Sequence, residues 1–120
     1  MSRIALAALV LASLTTAAPL AAEDGRRVTG RSEFLSLVKG RQLTYTGVAL
    51  TVTEDGRILG RAFGREVTGN WNWQDGYFCR TMQWGSRQFE ANCQAVELEG
   101  SRLRFTSDRG TGDHARLTLQ

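Results

Sequence analysis

The chain has a single histidine, His114, which ends its most polar stretch, Asp108-Arg109-Gly110-Thr111-Gly112-Asp113-His114. An imidazole near carboxylates is raw material for acid–base catalysis or for a metal site. The spacing supports neither. It does not fit the twelve-residue calcium loop, and one His without a CxxC pair leaves zinc short of ligands. No Ser or Cys stands nearby as a nucleophile for His114 to activate. Gly110 to Ala115 matches G-x-G-x-x-A, but that pattern binds a dinucleotide only where a helix opens behind the glycines. Here His114-Ala115-Arg116-Leu117-Thr118-Leu119 alternates like a strand, so nicotinamide nucleotides are not expected to bind. The stretch reads as a tight loop held by Asp side chains bonding to backbone amides. No catalytic residue, metal or cofactor is expected.

Two further groups could do chemistry. Cys79 and Cys93 are the only cysteines. Without CxxC spacing they read as a structural disulfide rather than a redox pair. Trp71, Trp73, Tyr77, Phe78 and Trp84 fall close together. Large aromatics dominate the core of a small domain, yet they also form stacking surfaces in a barrel mouth. Trp71, Trp73, Tyr77 and Trp84, with Arg109 from the polar loop, are therefore the candidate ligand-binding residues, and a core role stays open beside that one.

These residues need elements to position them. Ser32 to Gly40 predicts a short helix, with Ser32 as cap, Gly40 as stop, and Phe34, Leu35 and Val38 on one face. Beyond Gly40 the pattern alternates. Val48, Leu50 and Val52 share a face, as do Val67, Gly69, Trp71 and Trp73, then Leu103 with Phe105, then Ala115, Leu117 and Leu119. Turns are predicted at 54–56, 63–64, 74–76, 85–87 and 99–100. Turn signals between period-2 segments give an antiparallel meander. The expected fold is mainly β: a small lipocalin-like barrel of about seven strands with one short N-terminal helix. A hairpin of residues 77–84 and 88–95 around Gly85-Ser86-Arg87 puts Cys79 opposite Cys93, within disulfide reach.

The first residues read as an export leader. Arg3 is followed by the apolar run Ile4 to Leu14, then by small residues up to Glu23 and Asp24. That run is too short to span a bilayer, which takes about 20 apolar residues. Residues 1–22 are the expected signal peptide, cut after Ala22. Residues 23–120 are the expected single domain, periplasmic or secreted, with no stable membrane insertion after cleavage. The formal net charge is +3, carried almost wholly by arginines interleaved with acids. This is a mixed solvated surface and not a nucleic-acid stripe.

Taken together, Asp75-Gly76-Tyr77-Phe78-Cys79-Arg80, Trp84, Asn92-Cys93-Gln94 and Phe105 to Asp113 resemble a family of small exported alphaproteobacterial proteins. The likeness covers roughly Leu43 to Leu119. Members of that family often carry the label dihydrodipicolinate reductase, so the resemblance implies an exported protein and, through the label, a reductase. A looser likeness to lipocalin-like periplasmic domains rests on Asp55-Gly56-Arg57-Ile58, Gly69-Asn70-Trp71 and the two cysteines. The residues themselves favour a non-enzymatic module that binds a small molecule or a periplasmic protein. An enzyme and a secreted protein inhibitor are the alternatives.

Overall fold

The computed structural model describes residues 7–14 and 25–120. Residues 7–14 form neither helix nor strand; the rest of the expected leader, including the cut after Ala22, lies outside the described residues. Among the described residues no helix is long and apolar enough to cross a membrane.

Strand β1 (Arg26–Val28) leads into helix α1 (Arg31–Val38). Then come β2 (Leu43–Tyr45), β3 (Val48–Val52), β4 (Arg57–Ala62), β5 (Arg65–Gln74), β6 (Tyr77–Trp84), β7 (Arg87–Glu99), β8 (Arg102–Thr106) and β9 (His114–Leu119). Strands β2 to β9 each pair antiparallel with the next, and β9 returns to β2, closing an eight-stranded up-and-down barrel. Closure leaves those strands no long free edge. β1 lies outside, pairing with the end of β7 from Val96 to Leu98, beyond the reach of β6. The sequence reading omits β1 and β2, which have three residues each and are too short to display a period.

The closed barrel is tightly coiled, and two glycines allow it. Any Cβ on Gly60 would lie 2.1 Å from the carbonyl oxygen of Ala49, and one on Gly69 2.3 Å from that of Thr81. Only a residue without a side chain permits backbones to approach so closely.

One end of the barrel is sealed by α1. Its Phe34 is fully buried against the rings of Trp71, Trp73, Phe78 and Phe105, with centroids 5.1 to 6.4 Å away. Val38 is buried beside it. The indole N–H of Trp71 donates to the Thr53 carbonyl at 2.8 Å and that of Trp73 to the Thr29 carbonyl at 3.1 Å. Arg31 donates to the Glu54 carbonyl at 2.8 Å, tying the helix start to the β3–β4 turn. The helix begins one residue before the predicted Ser32. Gly30 is its N-cap and no side chain bonds there, so Ser32 does not act as the cap.

The β6–β7 hairpin differs from the expected three-residue loop. Trp84 pairs with Arg87 across a two-residue turn, Gly85-Ser86, in which Gly85 has a φ of 55°. A bulge between Arg80 and Met82 then supplies the missing residue on β7. The two deviations cancel, so Cys79 still faces Cys93, and the disulfide is present with Cα atoms 3.9 Å apart.

Candidate functional site

Inward-facing side chains change character along the barrel. Near α1 they are buried: Leu43, Val52, Ile58, Trp71, Phe78, Val96, Leu103 and Leu119. Toward the other end they stay apolar but become half-exposed, as at Val48, Leu50, Ala62, Met82, Trp84, Phe89 and Leu117. Inward apolar residues that remain accessible mean that this end is open rather than packed.

The opening leads into a cavity of about 350 Å³, walled by Leu43, Leu50, Val52, Ile58, Met82 and Leu117, with Phe78 and Phe105 on the side of the helix seal. An adjoining apolar space of about 210 Å³, between Val48, Ala62, Phe63, Val67, Trp84 and Phe89, shares the Leu50 and Met82 walls. The combination lies in the usual size range of small-molecule sites, about 300–1,000 Å³. Polar groups are few. Arg80, Gln94, Ser107, Asp113 and His114 border the larger space. The Gln94 amide donates to Ser107 Oγ at 3.3 Å.

Arg80 is the unusual member. Parity places it on the inward face of β6, with Phe78 and Met82 two residues to either side. It is half-buried, and desolvation pushes its guanidinium below the ordinary arginine value. Its Nη1 donates to the Glu90 carbonyl at 3.0 Å, on a residue that the bulge leaves out of the ladder. Among the described residues it has no ion pair.

The candidate residues from sequence are not brought together. Trp71 and Trp73 pack against α1 at the sealed end. Tyr77 lies under Arg27 and Arg109, at 4.8 and 5.6 Å, away from the cavity walls. Only Trp84 borders either interior space, lining the smaller one while its indole donates to the Ala62 carbonyl at 2.8 Å. Sequence reasoning missed Arg80, Met82 and Leu50. A charged residue at an inward position between Phe78 and Met82 was the available signal.

The polar loop turns at α2 (Ser107–Gly110), where Asp108 and Arg109 take left-handed φ values of 54° and 55°. The expected bonds from Asp side chains to backbone amides are replaced by a clasp from β7. Asn92 Nδ2 donates to Asp108 Oδ1 at 2.8 Å, and the Asp108 amide donates to Asn92 Oδ1 at 3.0 Å. The stretch after Gly112 is strand β9, so the glycines open no helix. His114 contacts Arg116 Nη1 through Nε2 at 3.0 Å and Arg104 Nη2 through Nδ1 at 3.4 Å. A guanidinium only donates, so the shorter contact makes Nε2 the acceptor. Among the described residues its one hydrogen-bond partner is thus Arg116, with Arg104 only in contact, and no three His, Cys, Asp or Glu side chains converge as metal ligands.

The outer wall also has a concavity of about 560 Å³ beside the bulge. Arg57, Asn70, Thr81, Gln83, Gln88 and Glu90 border it, all exposed, so an occupant there would shed little water. The interior cavity is the better-built site. No family model, curated protein or solved structure matches the chain.

Proposed function

We propose that this protein is an exported, non-enzymatic binding module that holds a small, largely apolar molecule inside its barrel. One observation carries the reading: accessible apolar side chains face a cavity at the open end, while α1 closes the other. A domain of this size has little apolar surface to spare, and leaving Leu50, Met82, Phe89 and Leu117 half-exposed costs stability that a packed interior would keep. An occupant recovers that burial. Export rests on the leader pattern of residues 1–22 and on the Cys79–Cys93 disulfide, which persists in an oxidising compartment.

The test is calorimetric titration with dodecanol, a neutral chain, against the wild type and against Leu117→Trp, which fills the cavity from β9. Saturable one-to-one binding by the wild type, lost in a variant that still unfolds cooperatively, supports the reading. Binding that survives in Leu117→Trp places the chain elsewhere and counts against it.

A further inference from the structure

We infer that the ligand of this cavity is an amphiphile with an anionic head, a carboxylate in the simplest case, and that Arg80 receives that head inside the barrel. The inference rests on the proposed interior binding and adds its chemical class. Arg80 reaches the cavity from an inward position on β6, between Phe78 and Met82. A guanidinium there loses hydration, and a buried charge is tolerated when something compensates it. The protein compensates it only in part. One of its five donors meets the Glu90 carbonyl, and among the described residues no other hydrogen bond and no carboxylate partner is present. The acid that borders the cavity, Asp113, is exposed in the β8–β9 loop and makes no ion pair with Arg80. A planar fork of unused donors in an apolar chamber matches a carboxylate, which can accept two of them at once. The chamber extends past Leu50 and Met82 into the apolar space under Trp84, which suits a hydrocarbon body behind a polar head.

A plain structural reading competes: Arg80 serves only as a strut for the bulge through Glu90. Titrating dodecanoate and dodecanol against the wild type, Arg80→Met and Arg80→Lys separates the two. Dodecanoate should bind the wild type roughly 10–100-fold more tightly than dodecanol, the range for a charge-assisted hydrogen-bonded contact. That preference, read as the ratio of the two affinities in each variant, should vanish in Arg80→Met and survive in part in Arg80→Lys. Equal affinities in the wild type, or a preference that persists in Arg80→Met, overturn the head-group assignment and leave the cavity reading standing. Absence of binding by either compound overturns both. If Arg80→Met fails to fold, the comparison of the two ligands on the wild type and on Arg80→Lys still decides.

Discussion

Arg80, Phe34 and Glu99 each show how a single side chain draws its role from the strand or helix that carries it. Phe34 touches four aromatic rings from β5, β6 and β8 and is fully buried. Truncating such a residue costs its transfer energy and leaves a cavity, so Phe34→Ala should destabilise the fold by about 3–5 kcal/mol in urea unfolding. Glu99 on β7 accepts from Arg116 Nε at 3.0 Å and lies 3.8 Å from Arg104. The Arg116 hydrogen bond, aided by the nearby arginines, holds its carboxyl below the ordinary value of 4.5. A carboxyl depressed on folding stabilises the native state above its unfolded pKa, and that contribution is lost as pH falls through the folded value. The wild type should therefore lose stability faster than Glu99→Gln as pH drops below about 4.5. Parallel acid limbs in denaturation at stepped pH would contradict this. Arg80 was legible in principle, because Phe78, Arg80, Met82 and Trp84 alternate on one face. The clustered rings are the stronger signal in the sequence, but the indoles of Trp71 and Trp73 secure the Thr53 and Thr29 carbonyls at the sealed end.

At the scale of elements, the β6–β7 hairpin decides which way Arg80 faces. A strand has period 2, so a one-residue slip would turn every side chain of β6 to the other surface. The disulfide sits beside the bulge and pins the register. Replacing both Cys79 and Cys93 by Ser should cost about 2–5 kcal/mol, read from denaturant midpoints of the native and double-variant proteins. Gly69 is the second constraint. Its would-be Cβ meets the Thr81 backbone at 2.3 Å, so β5 and β6 must separate to admit Ala. Gly69→Ala should destabilise by about 1–3 kcal/mol, the usual cost of overpacking, and a neutral result would mean the coil is slacker than described. Most strand placements were readable because turn residues and alternation agree over five or more residues. The two-residue turn and the bulge were not, since the symmetric placement of the cysteines about Ser86 is equally consistent with a three-residue loop. A parity change gave the clue: Phe89 faces in from an odd position, Gln94 and Val96 from even ones.

Across the whole molecule the barrel is asymmetric. Aromatic packing and indole hydrogen bonds close the end under α1, whereas apolar residues at the far end keep contact with solvent. The sequence predicted a small barrel but could not say whether it was hollow, because the same alternating pattern serves a packed interior and an open one. That difference lies in side-chain volume summed over eight strands, including Gly60 and Gly69, which contribute none. Amide chemical-shift mapping during titration with dodecanoate shows whether the ligand enters the barrel. Binding inside the barrel gives saturating shifts concentrated at Leu50, Ile58 and Leu117, extending to Arg80, with Phe34 and Val38 in α1 nearly unmoved. Shifts concentrated instead at the outer concavity, around Asn70, Thr81 and Gln83, or a spectrum that does not change, would contradict it.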